Sequence, residues 1–271
     1  MDRRPIGVFD SGLGGLTAVR ELTHLLPGED IIYFGDTGRV PYGSRSQDTI
    51  IKYARQDVAF LRTFDLKAIV IACGTVSTTA LDILTRENPI PILGVVDPAA
   101  AEAAAATRNG SIGLIGTQAT IRTGAYERAI TRRLPGAEVT ALPCPLLVPL
   151  VENGRFRPGD TVVELVVAEY LAPIKAAGVD TLVLGCTHYP LLSGVIGAYM
   201  GPQVSLINSG AACARQVASL LTETGALAED GRPGQRRYFV SDRVEGFSAL
   251  ASIFLGQDVR GDVTQVDITR Y

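Results

Sequence analysis

The stretch Ala-Ile-Val-Ile-Ala-Cys-Gly-Thr-Val-Ser-Thr-Thr, residues 68–79, decides how the rest of this chain is interpreted. Apolar residues lead directly into Cys73, Gly74 and a cluster of hydroxyl side chains, after which leucines return at helical spacing. This pattern predicts a buried strand, a tight turn and then a helix. Ligands bind beyond the carboxyl ends of the strands in open parallel sheets, so we expect Cys73 at the mouth of a site.

A second stretch, Thr-Leu-Val-Leu-Gly-Cys-Thr-His-Tyr-Pro at residues 181–190, repeats this arrangement around Cys186. The distances to the opening strands also correspond: 67 residues separate Ile6 from Cys73 (73 − 6), and 74 separate Ile112 from Cys186 (186 − 112). The repeat indicates a diverged duplication. It predicts an α/β fold of two pseudo-symmetric parallel-sheet domains that face each other across a cleft, with one cysteine from each half.

Two further loops are predicted at the same sheet end as the first cysteine. Residues 10–15, Asp-Ser-Gly-Leu-Gly-Gly, follow a short strand, but their glycine order fits neither the dinucleotide fingerprint nor the P-loop. We interpret them as a tight strand-to-helix turn that exposes Asp10 and Ser11. Residues 35–43 follow the next strand and are rich in turn-forming residues, so they are a third contributor to the site.

Composition limits the class of protein. The chain has 271 residues, of which 46% are hydrophobic and 20% charged, as in soluble α/β enzymes. The 25 basic residues against 28 acidic ones, with no basic run, argue against nucleic acid as a main partner. No apolar run approaches the roughly 20 residues of a membrane span and nothing resembles a signal peptide, so we expect no membrane association and a cytoplasmic location. The four cysteines form no C-x-x-C pair and are expected to be thiols.

Two thiols on opposite sides of one cleft suit one reaction in particular. Inverting a carbon that bears an acidic hydrogen requires a base on one face and an acid on the other, and two like groups can exchange these roles. The ordinary pKa of a thiol is about 8.5, and amide dipoles at a helix start or a nearby cation are expected to lower it. The motif loops contain few Arg or Lys residues, so we expect substrate carboxylates to be held largely by backbone N–H groups and hydroxyls.

Taken together, these motifs resemble those of bacterial glutamate racemases, within the aspartate/glutamate racemase superfamily, from Ile6 past Pro190. The resemblance implies a two-base interconversion of L- and D-glutamate that needs no cofactor and no metal and provides D-glutamate for peptidoglycan. It also implies a homodimer. The second domain would be inserted in the first, so that residues 1–96 and 208–271 form one domain and residues 97–207 the other.

The resemblance also assigns roles to residues. Cys73 and Cys186 match the acid/base pair, and Asp10 and His188 would assist their proton transfers. The positions matching substrate-binding residues are Asp10, Ser11, Pro41, Tyr42, Gly43, Gly74, Thr75, Thr117, Thr187 and His188. The family usually carries Asn directly after the first cysteine, where this chain has Gly74. This departure bears on substrate affinity and on the amino acid accepted more than on the type of reaction.

Two other functions remain open at the level of sequence. One is a racemase of another amino acid, such as aspartate, which differs in substrate profile. The other is a non-catalytic protein that binds an acidic amino acid in the same cleft; it would be nearly indifferent to Cys73→Ser and Cys186→Ser. A zinc site built from the cysteines with Asp10 and His188 is disfavoured, because C-x-H is not a usual chelating spacing.

The remaining candidate residues have simpler interpretations. We assign Cys144 and Cys213 to packing, because neither has the strand-end and hydroxyl context of the paired cysteines. His24 lies on a predicted helix and is assigned to solvent. Asp10 has an alternative role as a cap of the helix that follows it. For Glu152, the edge of the site and the free surface are equally favoured.

Overall fold

The structure is a computed structural model that describes residues 2–228, 231–256 and 263–271. Within these residues the strands form two sheets, and every strand pair is parallel. The first sheet, in the order β10-β9-β2-β1-β3-β4, contains β1 (Ile6–Asp10), β2 (Ile31–Gly35), β3 (Ala68–Ile71), β4 (Ile92–Gly94), β9 (Arg236–Val240) and β10 (Val263–Gln265). The second, in the order β6-β5-β7-β8, contains β5 (Ser111–Gly116), β6 (Glu138–Pro143), β7 (Thr181–Leu184) and β8 (Ser205–Asn208).

Helices connect the strands and cover the sheets. They are α1 (Leu16–Leu25), α2 (Gln47–Leu61), α3 (Gly74–Thr79), α4 (Leu81–Glu87), α5 (Val96–Ala106), α6 (Gln118–Arg122), α7 (Ala125–Arg133), α8 (Leu147–Glu152), α9 (Thr161–Ala176), α10 (Ser193–Met200), α11 (Ser209–Glu223) and α12 (Val244–Leu255), with 3₁₀ turns at Tyr42–Ser44, Tyr189–Leu192 and Ile268–Arg270. Among the described residues, no helix combines the length and apolar character needed to cross a bilayer.

The central strands are buried along their whole length. Every residue of β1, β2, β3 and β7 is buried, as expected where helices lie on both faces of a parallel sheet. This explains why these segments read as continuous apolar runs and not as alternating ones. At the rim of the second sheet, β6 is only partly covered, and its sequence is correspondingly more polar.

The internal repeat predicted from the sequence corresponds to a repeated strand arrangement. In the first sheet β3 pairs with β1, and in the second β7 pairs with β5. Cys73 and Cys186 each lie two residues after the end of the third strand of their half, β3 and β7. The predicted fold of two parallel-sheet α/β domains is therefore confirmed.

Candidate active site

A cavity of about 370 Å³ is lined by residues that follow strands of both sheets. The loops after β1, β2 and β3 contribute one wall, and the loops after β5, β6 and β7 contribute the other. The cavity therefore lies at the carboxyl ends of the strands, where parallel sheets bind ligands. Of the site residues predicted from sequence, those that line it are Ser11, Pro41, Tyr42, Gly43, Cys73, Gly74, Thr75, Thr117, Cys186, Thr187 and His188.

Cys73 is placed at the cavity by the turn between β3 and α3, where it is the N-cap residue of the helix. The thiol is 4% exposed and its Sγ lies 3.4 Å from Ser11 Oγ. Burial, with a contribution from the neighbouring Asp10 carboxyl, raises the pKa of Cys73 to about 12, although hydrogen bonding with Ser11 and Val76 opposes this. The expected lowering of the thiol pKa at this helix start is therefore not observed, because burial outweighs the amide dipoles.

Asp10 lies one layer behind the cavity wall. It is 1% exposed, does not line the cavity, and accepts a 3.0 Å hydrogen bond from the Gly12 backbone N–H through Oδ2. Its other oxygen, Oδ1, has no hydrogen-bond partner within the described chain. Burial raises the pKa of Asp10, and the charge of His188 opposes this shift. Asp10 is therefore beside Cys73, where it was predicted to assist proton transfer, and its predicted contact with substrate stays a prediction.

The second cysteine has a different environment. Cys186 Sγ lies 3.8 Å from His188 Nδ1, and His188 Nε2 lies 3.0 Å from Glu152 Oε1. Burial tends to lower the pKa of His188, but the contacts with Cys186 and Glu152 outweigh it and raise that pKa to about 10. Glu152 is the last residue of α8 and lines the cavity, so it belongs to the site and not to the free surface. One thiol thus has a buried carboxyl as neighbour, and the other has an imidazolium.

The two halves touch directly around the cavity. Thr75 Oγ1 lies 2.9 Å from Thr117 Oγ1, and Thr17 Oγ1 donates to the Thr187 carbonyl at 2.9 Å. Gly74 faces the carbonyl oxygen of Gly185 so closely that an added Cβ would fall inside van der Waals contact with it. The missing side chain at position 74 therefore lets the two cysteine-bearing loops approach backbone to backbone.

The polar lining of the cavity is mostly neutral. Its lining includes the hydroxyl-bearing residues Ser11, Thr75 and Thr117, and within the described residues neither Arg nor Lys lines it. Recognition of substrate carboxylates by hydroxyls and backbone N–H groups therefore stays a prediction.

Several lining residues were not predicted from the sequence. Val148 and Pro149 of α8 supply an apolar wall beside Glu152, and Gln118 opens α6. Tyr189 lines the cavity and donates from Oη to the Cys144 carbonyl at 2.9 Å. The available signal was the Pro-broken apolar segment after β6, since it follows a strand at the sheet end that carries the site.

The residues assigned to other roles lie where expected. Cys144 and Cys213 are buried in the hydrophobic core, and His24 is exposed on α1. Asp10 makes no side-chain cap to α1, whose N-cap residue is Gly15.

Comparisons with known proteins agree with this geometry. Residues 12–217 match the model of the Asp/Glu/Hydantoin racemase family. A glutamate racemase of Geobacter metallireducens is 47% identical over 99% of this chain and 98% of its own length. The crystal structure of glutamate racemase from Francisella tularensis in complex with D-glutamate superposes with a TM-score of 0.91 at 38% identity, covering all of both chains. That of Escherichia coli glutamate racemase, in complex with L-glutamate and an activator, gives 0.75 at 31% identity, covering 93% of this chain and 95% of that one.

Two parallel-sheet domains with a thiol on each wall of one cavity define an amino-acid racemase, an isomerase, and the chain belongs to the Asp/Glu/Hydantoin racemase family. Its relatives along the full length place it, within that family, among the glutamate racemases.

Proposed function

We propose that this protein interconverts L- and D-glutamate by a two-base mechanism in which Cys73 and Cys186 are the acid and the base. The observation that carries the proposal is that both thiols line one cavity and approach it from different sheets. A base on one side of the substrate removes the Cα hydrogen while an acid on the other side donates a proton, so the configuration inverts.

The two environments differ in the charge that lies beside each sulfur. His188, whose raised pKa favours the imidazolium, lies 3.8 Å from Cys186 Sγ, whereas burial favours the protonated form of Cys73. In one direction the Cys186 thiolate takes the Cα proton and the Cys73 thiol supplies a proton to the opposite face. In the other direction the protonation states of the two sulfurs are reversed. His188 and Asp10 assist these transfers from the positions next to each sulfur.

The lining of the cavity fits an amino acid with two carboxylates. We propose that Ser11, Thr75, Thr117 and Thr187 bind it through hydroxyls, and that Pro41, Tyr42, Gly43 and Gly74 bind it along the backbone. Glutamate is favoured over aspartate because relatives over the full length are glutamate racemases, two of them with glutamate named in their crystal structures. A non-catalytic binding role would leave the paired thiols without a purpose.

The resemblance further supports a supply of D-glutamate for peptidoglycan, in the cytoplasm, by a homodimer. We also propose that residues 97–207 form a domain inserted between residues 1–96 and 208–271. The sheet membership supports an inserted domain, because β5 to β8, the last of which ends at Asn208, form the second sheet, and the chain before and after them supplies the strands of the first.

The test is incubation of the purified protein with L-glutamate, in EDTA and without pyridoxal phosphate, followed by chiral chromatography. The expected result is an equal mixture of the two enantiomers, and the same result from D-glutamate. Parallel reactions with L- and D-aspartate distinguish the alternative substrate. No turnover of either amino acid, or turnover only after a cofactor is added, would contradict the proposal.

A further inference from the structure

A buried charged cluster lies behind the wall formed by residues 40–44. Asp36, directly after β2, and Asp57, on the inner face of α2, have side chains with 0% exposure. Arg39 joins them: its Nε lies 2.6 Å from Asp36 Oδ2 and its Nη2 lies 2.9 Å from Asp57 Oδ1. The guanidinium also stacks on the Tyr53 ring, with its Cζ 4.1 Å from the ring centroid. This cluster does not line the cavity, but Tyr42 connects it to the cavity wall.

Two ionised carboxylates and one phenol provide a single proton for the two hydrogen bonds around Tyr42, and a second proton is required. Tyr42 Oη contacts both Asp36 Oδ2 and Asp57 Oδ2, the latter at 3.1 Å, yet a phenol has a single hydrogen to donate. Were both carboxylates ionised, one lone pair of the phenol would face a lone pair of a carboxylate. A buried contact of that kind is costly, and so is a buried pair of negative charges with one cation.

The extra proton belongs on Asp57 rather than on Asp36. Asp36 accepts from three donors, namely Arg39 Nε, Tyr42 Oη and Ser241 Oγ, the last at 2.7 Å. The hydrogen-bond partners of the Asp57 side chain, among the described residues, are Arg39 and the phenol of Tyr42. Burial, together with the Asp36 carboxylate, also raises the pKa of Asp57 well above its usual range. The protonated Asp57 carboxyl then donates to Tyr42 Oη, and the Tyr42 hydroxyl donates to Asp36. With one carboxylate and one guanidinium, the cluster is electrically neutral.

We propose that Asp57 acts as a neutral hydrogen-bond donor to Tyr42 and so positions the cavity wall formed by residues 40–44. This inference rests on the proposed racemase function of the cavity.

The connection from Asp57 to the cavity is short. Tyr42 is 1% exposed and opens the 3₁₀ turn Tyr42–Ser44, which lines the cavity. The next residue, Gly43, packs against the second half so tightly that an added Cβ would lie 2.9 Å from Thr117 Cβ. A phenol fixed at its Oη therefore fixes the backbone of Gly43 against Thr117. Loosening the anchor would move the wall that meets the substrate without touching either thiol.

The experiment compares Asp57→Asn with Asp57→Leu. Asn reproduces a neutral Asp57, because its Oδ1 accepts from Arg39 and its amide donates to Tyr42, whereas Leu removes both contacts at similar volume. The matched control is Asp48, which is exposed in the first turn of the same helix, as Asp48→Asn and Asp48→Leu. KM and kcat for glutamate are measured with hydrogen–deuterium exchange of the peptide covering residues 38–46.

We expect Asp57→Asn to keep KM and kcat within about threefold of the unchanged protein. Asp57→Leu should raise KM at least tenfold, change kcat less, and speed exchange in residues 38–46, while both Asp48 variants leave all three readouts unchanged. If Asp57→Asn is as impaired as Asp57→Leu, the carboxylate charge is required and the proposal is overturned. It is also overturned if Asp57→Leu leaves both KM and the exchange in residues 38–46 unchanged. Hydrogen–deuterium exchange does not depend on turnover. If the protein without substitutions is inactive, the racemase proposal is rejected, and the exchange data still test the role of Asp57.

Discussion

Replacing Glu152 by Gln tests the electrostatic asymmetry between the two thiols. The substitution keeps the size of the side chain but removes the charge that lies 3.0 Å from His188 Nε2. A hydrogen bond to a charged partner contributes about 1.5–3 kcal/mol, but the Glu152 side chain is 37% exposed and solvent screens it. We therefore use about 1.4 kcal/mol, which corresponds to about one pKa unit. The pKa of His188, about 10 in the unchanged protein, should therefore fall by about one unit.

The chain is well suited to this measurement because it contains only two histidines. Nuclear magnetic resonance titration of the ring Cε1–H groups should show two resonances, one from His188 and one from His24, which is exposed on α1. Glu152→Gln should shift the titration of His188 and leave that of His24 in place. An unchanged His188 titration would refute the assignment of Glu152 as a source of the raised pKa.

The same interaction predicts how stability depends on pH. The pKa of His188 is raised from 6.5 to about 10 on folding, so its contribution to stability is fully present below pH 6.5 and is lost as pH rises through 10. The deficit of Glu152→Gln in free energy of unfolding, about 1.4 kcal/mol at pH 6, should therefore shrink towards zero above pH 10. Urea unfolding at the two pH values measures it, and a deficit that grows with pH would contradict the sign of the effect.

Three further predictions concern single positions. Cys73→Ser and Cys186→Ser should each lower kcat by about 10²–10⁴-fold, with little change in the calorimetric dissociation constant of glutamate; unchanged turnover would favour the binding-protein alternative. Gly74→Ala should reduce the free energy of unfolding by about 1–3 kcal/mol and raise KM, because its Cβ meets the opposite loop, whereas Gly197→Ala in an open helical position should be neutral or stabilising. Asp10→Asn should lower kcat. It should also gain stability relative to the unchanged protein as pH rises above 3.8, because burial raises the pKa of Asp10 and makes its ionisation in the folded state unfavourable. Melting temperatures at pH 5 and 8 test this.

Much of the fold was predictable because its signals are local. The runs that end at Cys73 and Cys186 are continuous and apolar since helices cover both faces of β3 and β7. Repetition of the pattern then indicated two halves, and the rule for parallel sheets placed the site at the ends of their strands.

What the sequence did not predict depends on contacts between distant segments. The surrounding fold produces the burial that raises the pKa of Cys73, and it also places Asp10 behind the cavity wall. Glu152 and His188 are 36 residues apart and meet only because α8 lies against the turn after β7. The closeness of Gly74 to Gly185 likewise joins two halves of the chain, which no local pattern records.

The most direct test of a two-thiol mechanism is the fate of the Cα hydrogen in deuterated water, measured before one-tenth of the substrate has reacted. Separate bases on opposite faces exchange with solvent between turnovers, so the product enantiomer should carry deuterium at Cα while recovered substrate keeps its protium, in both directions. Product that retains the substrate hydrogen, or early deuterium in recovered substrate, would instead indicate one base serving both faces.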